Sequence, residues 1–327
     1  MRQPLRLATR ALVYFFHKPE ICPIASASLI LNNESLIMES KKSASSGIDA
    51  DLQQVRDCMR EGLSGTSLRE FTSMFGSILG GGKMLRSRLT LSVGMASGVP
   101  REQLVRAGAV VEMLHAASLL HDDIVDGGTQ RRGEPALWVA KGTRAAVLLG
   151  DLMVSLAAEG VQETLPTHLP ILIATLREMC DSEAEQEFGE AADDVSACWE
   201  QCVSIARRKT GSLFGFAAAC AGGSSMDRVT ALRRAGYALG TAYQLADDLL
   251  DARPDLPSAD KTLGTDAATG KLTAATVSPS SGHDPVAHIA ALLQESEAEL
   301  AAWPAVQLAW RAYVQDVVAP LVAQIVG

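Results

Sequence analysis

Two stretches of this sequence end an apolar run in the same unusual arrangement of acids. One reads Leu119-Leu120-His121-Asp122-Asp123-Ile124-Val125-Asp126, the other Tyr243-Gln244-Leu245-Ala246-Asp247-Asp248-Leu249-Leu250-Asp251. In both, carboxylates stand at i, i+1 and i+4. Residues four apart share a helix face, so Asp122 and Asp126 point the same way with Asp123 beside them. Like charges stacked in this way repel each other, and a bound cation is the usual remedy. Hard oxygen donors with room left for water suit Mg²⁺, which is commonly held by one or two carboxylates plus the phosphates of a substrate. A single cluster of this kind is more often a solvated helix end than a metal site. Its repetition shifts the balance towards chemistry.

Basic residues gather where a phosphate would need them. Gly80-Gly81-Gly82-Lys83-Met84-Leu85-Arg86-Ser87-Arg88 places three glycines before a helix start, which lets backbone N–H groups approach a ligand closely. Lys83 and Arg86, three apart, can converge on one anion, and a diphosphate fits such a place. A plain turn followed by a solvated basic helix start is the competing reading. After the first acidic cluster, Gly127-Gly128-Thr129-Gln130-Arg131-Arg132-Gly133 forms a loop that brings two guanidiniums near the carboxylates. Arginine forks grip phosphate oxygens in pairs, which makes sense if metal-bound phosphate lies between them and the acids. His115, two turns before Asp122, faces the same cavity.

Helices must position these groups. Val110, Val111, Met113, Leu114, Ala117, Leu119 and Leu120 recur at three- and four-residue spacing and argue a buried helix ending at the first cluster. Asp49 or Asp51 can cap a helix through about Leu63, and Ser67 another to Leu79. Helical periodicity continues through Pro285–Ala302 and Ala305–Val326. With 327 residues, 47% hydrophobic content and a net charge of −9, the chain reads as an acidic globular protein with ample core. Nucleic acid is an unsuitable partner for such a charge. The pattern predicts an all-α fold with one domain over residues 49–327, a helical bundle around a central cavity.

Residues 1–48 stand apart. Arg2, Arg6, Arg10 and Lys18 precede the first acid, Glu20, and the segment then turns rich in Ser and Asn. This resembles an organelle transit peptide or a short signal core. A start at Met38, with the upstream residues a mere extension, is the equal alternative, and loose packing is expected in either case. The six cysteines form no CxxC pair, so reduced thiols and a cytoplasmic location are expected. No stretch has the uninterrupted apolar length of about 20 residues that a membrane span needs.

Taken together, these motifs resemble those of the all-trans isoprenyl (polyprenyl) diphosphate synthases. Gly81–Ser87 is similar to that family's GGKRLRP segment, Asp122–Gly133 to its first DDxxD motif with an RRG tail, and Asp247–Asp251 to its second. Glu183 and Gln186, Lys209-Thr210, Tyr243-Gln244, then Lys261, Gly264, Asp266, Gly270, Lys271 and Thr273 follow in the family's order. The resemblance covers about residues 50–275. It implies that Asp122, Asp126 and Asp247 bind three Mg²⁺ ions on an allylic diphosphate, with Asp123, Asp248 and Asp251 in support. It further implies that Arg131, Lys209 and Lys261 neutralise that diphosphate, while Thr210 and Gln244 hold substrate near it. Lys83, Arg86, His115 and Arg132 would take the diphosphate of isopentenyl diphosphate.

The implied reaction ionises the allylic C–O bond, and the double bond of isopentenyl diphosphate then attacks the cation head to tail. Chain length in the family depends on residues above the first motif. Here Ala117 and Ser118 are small, and Leu114, Val111 and Val110 follow with Met153 and Val154 as opposing walls. A product of C20 or longer is expected, of the octaprenyl to decaprenyl kind, with geranylgeranyl diphosphate as runner-up. Met84 and Ser87 depart from the family's Arg and Pro, and a shortened helix is expected after Lys271. A terpene cyclase and a non-catalytic subunit of a heteromeric synthase are the other readings. Family members pair through helices flanking the first motif, so a homodimer is expected.

Overall fold

The computed structural model describes residues 47–70, 82–192, 194–252 and 272–320. Gly80 and Gly81 of the triple glycine and the segment with Lys261, Gly264, Asp266, Gly270 and Lys271 lie outside the described residues, as do nearly all of the N-terminal extension and most of the helix expected from Ser67.

The first helix, α1, covers residues 47–64 and buries Leu52, Val55, Met59 and Leu63, an i, i+3, i+4 stripe. It already runs at residue 47, so Asp49 and Asp51 lie inside it and cap nothing. They tie helices together instead. Asp49 accepts from Arg88 at 2.8 Å, and the buried Asp51 accepts from Arg101 Nε at 2.5 Å. These arginines belong to α2 (Leu85–Ala96) and α3 (Arg101–Val125).

A two-stranded hairpin, β1 (Gln130–Arg131) against β2 (Glu134–Pro135), leads to the short α4 (Leu137–Lys141) and to α5 (Thr143–Thr164). Helix α5 makes the most extensive packing of any helix with α3. It is the one described helix long and apolar enough to cross a membrane, although Arg144, Asp151, Glu159 and Glu163 interrupt it. Then come α6 (Leu169–Phe188), α7 (Val195–Ala206), a π-helical turn (Arg207–Gly211) and α8 (Ser212–Cys220). Helix α9 (Met226–Asp251) starts at Ser225, whose hydroxyl accepts the Arg228 N–H.

Every residue of α8 is buried, and Phe214 and Phe216 are fully so. Each such ring contributes roughly 1.5–3 kcal/mol by leaving water. Helix α9 can lie directly on this segment because glycines form the seam. A Cβ at Gly240 would meet Gly211 Cα at 2.7 Å, and one at Gly236 would meet the Phe214 carbonyl oxygen at 2.5 Å. This close approach fixes the height of the second acidic cluster against the π turn.

The remaining helices are α10 (Ala274–Ser281), α11 (Pro285–Ala298) and α12 (Pro304–Tyr313), followed by a second π turn (Val314–Val318). Helix α10 persists as a short helix because Thr273 and Thr276 form a reciprocal capping box. Tyr313 donates its hydroxyl to Leu85 O at 2.8 Å, and Trp310 Nε1 donates to Ser296 Oγ at 3.1 Å, so the last helices close onto α2 and α11. One apolar cluster extends from Leu52 to Val318 through all of the long helices. The fold is all-α apart from the hairpin.

Candidate active site

Both acidic clusters occupy the last turn of a long helix, where unpaired carbonyls carry partial negative charge. Carboxylates there are unfavourable unless cations answer them. At the end of α3, Asp123 points inward at 4% exposure and is clamped by Arg131. The guanidinium donates from Nη2 to Oδ1 at 2.6 Å and from Nε to Oδ2 at 2.9 Å. The hairpin thus exists at this place to return Arg131 to the helix, and Trp138 pins its approach by donating to Gly128 O at 2.7 Å. Asp126 is exposed and Asp122 half-buried.

The environment of Asp122 is unusual. Burial lifts its carboxyl to about 7, Glu183 and Asp126 push in the same direction, and Lys209 and Arg131 oppose them. Lys209 sits among these acids. It pairs with Glu183 and donates to Gln186 Oε1 at 2.8 Å. Burial disfavours its charge, but Asp122, Glu183 and Asp126 outweigh that and raise its pKa. Glu183 Oε1 remains buried without a hydrogen-bond donor.

The next residue of the π turn, Thr210, reaches the other cluster. Its hydroxyl donates to Gln244 Oε1 at 2.5 Å, and Gln244 Nε2 donates to Asp248 Oδ1 at 2.7 Å. Asp248 Oδ2 accepts the backbone N–H of Ala274 at 3.1 Å. Asp248 and Asp251 are 7% and 2% exposed, whereas Asp247 is partly open. Two successive residues on one turn therefore serve both acidic helix ends, Lys209 through its charge and Thr210 through Gln244.

A small pocket lies along the same face of α3, about two turns before the first acids. His115, Glu112, Ala116 and Leu119 line it with Gly82, Met84 and Arg132. Gly82 leaves space for Arg132, since a Cβ there would meet Nη2 at 2.6 Å. Burial holds the His115 imidazole well below its usual pKa, and Arg86, Arg132 and Arg131 add to the effect. His115 is accordingly neutral at pH 7. Arg86 lies with its guanidinium carbon 4.7 Å from the centre of the Phe214 ring. Lys83 differs from expectation. It precedes α2, behind a left-handed Met84 with φ 48°, and is exposed, so helical spacing does not align it with Arg86.

Sequence reasoning missed Glu112, a buried carboxylate that accepts the Ser87 N–H at 3.1 Å and whose charge faces Arg86. A proline at residue 87 would lack that N–H. The Glu three residues before His115 was the available signal. Of the chain-length candidates, Leu114, Val111 and Ala117 are buried in the core with Met153, while Ser118 turns its hydroxyl to His115 O at 2.9 Å. Lys261 lies outside the described residues.

The donor set suits a divalent cation assembled together with a substrate. Among the described residues no three His, Cys, Asp or Glu side chains already gather closely enough to hold an ion. Glu183 and Asp126 nevertheless add negative charge around the buried Asp122 carboxyl, and one Glu183 oxygen has no donor. Mg²⁺ held by one or two of these acids and by phosphate oxygens fits that balance.

The fold is that of known isoprenoid enzymes. A polyprenyl synthase from Caulobacter crescentus, solved with calcium and isoprenyl diphosphate, superposes with a TM-score of 0.71 at 25% identity, over 84% of this chain and 95% of that one. A decaprenyl diphosphate synthase from Rhodobacter capsulatus gives 0.68 at 25% identity, over 87% and 99%. In sequence, a short chain isoprenyl diphosphate synthase of Methanothermobacter thermautotrophicus is 34% identical over 60% of this chain and 62% of its own length. The nonaprenyl diphosphate synthase of Mycobacterium tuberculosis is 31% identical over 68% and 64%. The chain spans a little over three fifths of these curated relatives. The polyprenyl synthetase pattern matches residues 69–303, well over half of the chain. The chain belongs to the polyprenyl synthetase family.

Proposed function

We propose that the protein is a trans-prenyltransferase, dependent on a divalent metal, that joins isopentenyl diphosphate head to tail to an allylic diphosphate. The observation that carries this reading is the π turn. Lys209 sits among Asp122, Asp126 and Glu183, while Thr210 connects through Gln244 to Asp248. Asp122, Asp126 and Asp247 would hold Mg²⁺, with three ions expected once substrate is bound. Such ions supply the Lewis acidity that loosens an allylic C–O bond.

The chain's own residues do the rest. Lys209 stabilises negative charge on the departing diphosphate, and Arg131 keeps one nitrogen outside its clamp on Asp123 for the same purpose. Arg86 and Arg132 hold the second diphosphate beside a neutral His115, with Lys83 reaching it from the surface. Lys261 is retained as a further cation for the allylic diphosphate. With both diphosphates on one face of α3, the isopentenyl double bond would lie close to the ionising carbon.

The product proposed is C20 or longer, because Ala117 and Ser118 offer no bulky barrier one turn above Asp122. Relatives named octaprenyl and nonaprenyl diphosphate synthases accord with that reading, although short-chain and farnesyl enzymes match as well. A cytoplasmic homodimer is proposed alongside. The exposed Val147 and Leu148 on α5 supply apolar surface for a second copy. The decisive experiment is incubation with Mg²⁺, isopentenyl diphosphate and allylic primers of increasing length, with sizing of the products. Elongation supports the proposal; cyclised hydrocarbon or silence refutes it.

A further inference from the structure

A cleft of about 800 Å³ lies between α6, the end of α7 with the π turn, and the first half of α9. Five arginines line it: Arg177, Arg207, Arg208, Arg233 and Arg234. Its acids are fewer. Arg208 donates to Asp181 at 2.9 Å and pairs with Glu185, and Arg234 stands 3.8 Å from Glu299 at the rim. Glu178 accepts the Tyr237 hydroxyl at 2.7 Å and is 4.0 Å from Arg233. Arg177 and Arg207 have no carboxylate within 4.0 Å among the described residues.

The arrangement is crowded with like charge. Arg207 and Arg233 both lie over the ring of Tyr237, at 4.8 and 5.5 Å from its centre. Arg233 Nε is buried with no hydrogen-bond partner. Two guanidiniums held on one ring, with a donor left over, form a site for an oxyanion, since planar forks match phosphate oxygens. The cleft is also independent of the catalytic machinery in direction. On the π turn, Arg207 and Arg208 face outward to the cleft, whereas Lys209 and Thr210 face the acids.

We propose that this cleft binds a multiply charged phosphate anion of the di- or triphosphate class, as a site separate from the two diphosphate places of the proposed reaction. Arg177, Arg207 and Arg233 grip it, the last two held in place over the Tyr237 ring. The anion replaces repulsion among the arginines by charge-assisted hydrogen bonds.

The test is calorimetric titration of the full chain with inorganic tripolyphosphate in EDTA, which disables any metal-dependent binding. Three proteins are compared: wild type, Arg177→Gln/Arg207→Gln, and Arg86→Gln/Arg132→Gln. The first double variant changes two exposed residues and is expected to melt like wild type, with isopentenyl incorporation unchanged. It should lose one class of binding sites or weaken it roughly tenfold or more. The second double variant should keep that class. Arg177→Gln alone, which removes only an exposed side chain, should weaken it in part. Unchanged binding in Arg177→Gln/Arg207→Gln overturns the proposal, as does complete loss of binding in Arg86→Gln/Arg132→Gln. Because binding is read directly, failure here is distinct from failure to find prenyl transfer.

Discussion

The two acidic clusters share one spacing and differ in how they are held. At the end of α3, Asp123 is fastened by a guanidinium, and Lys209 stands beside Asp122 and Asp126. At the end of α9, the described hydrogen-bond partners of Asp248 are neutral donors, the Gln244 amide and the Ala274 N–H. In both, the i+1 acid turns inward and serves the scaffold. The i+4 acids diverge: Asp126 is exposed and Asp251 is 2% exposed. The first helix end therefore presents two acids and the second presents one, which supports Asp122, Asp126 and Asp247 as the proposed metal ligands. Equal sequence motifs do not make equal sites.

Substitutions at the outward acids should have the largest effect. Asp122→Asn and Asp247→Asn are each expected to lower kcat/KM on the order of a thousandfold with little change in melting temperature, measured by isopentenyl incorporation at saturating Mg²⁺. Equal small losses at both would break the assignment. The inward acids should instead reveal the difference between charged and neutral fastening. Asp123→Asn leaves Arg131 without its anion and is expected to cost about 3–5 kcal/mol in denaturant unfolding, the penalty for breaking a largely buried pair. Asp248→Asn keeps an acceptor for Gln244 or Ala274 and should cost only about 1–2 kcal/mol. If the two costs coincide, the contrast is wrong.

A further consequence concerns pH. The Asp122 carboxyl is raised from 3.8 to about 7 in the folded protein without metal, so the folded state binds the proton more tightly than the unfolded chain. Its contribution to stability is complete below about 4 and is lost as pH rises towards 7. In EDTA, wild type should thus lose a few degrees of melting temperature over that interval relative to Asp122→Asn, with Mg²⁺ reversing the loss near neutral pH. A parallel pair of curves would refute the shift. The smallest effect is expected at Ser87→Pro. Loss of the N–H to Glu112 should loosen the setting of Arg86 and raise KM for isopentenyl diphosphate severalfold at nearly constant kcat.

Much of the site was legible because it is local. A carboxylate triplet that closes an apolar helix conflicts with the helix dipole, and that conflict can be read without coordinates. The all-α class followed in the same way from apolar periodicity. Contacts between distant segments were not legible. Asp49 and Asp51 resembled helix caps, yet they pair with Arg88 and Arg101 because α1 begins further upstream than composition suggested. Lys83 and Arg86 looked like neighbours on one helix until the left-handed Met84 separated them.

The sequence by itself determined which residues can carry charge, which faces of helices are apolar, and that two acidic helix ends need cations. Those properties reside in side-chain chemistry and in spacing along a single helix. Only the tertiary structure decided which acid of each triplet turns inward, how the glycine seam sets α9 against the π turn, and that five arginines from α6, α9 and the π turn share one cleft. Such relations depend on the rotation and height of one helix against another, which packing fixes and no local pattern encodes.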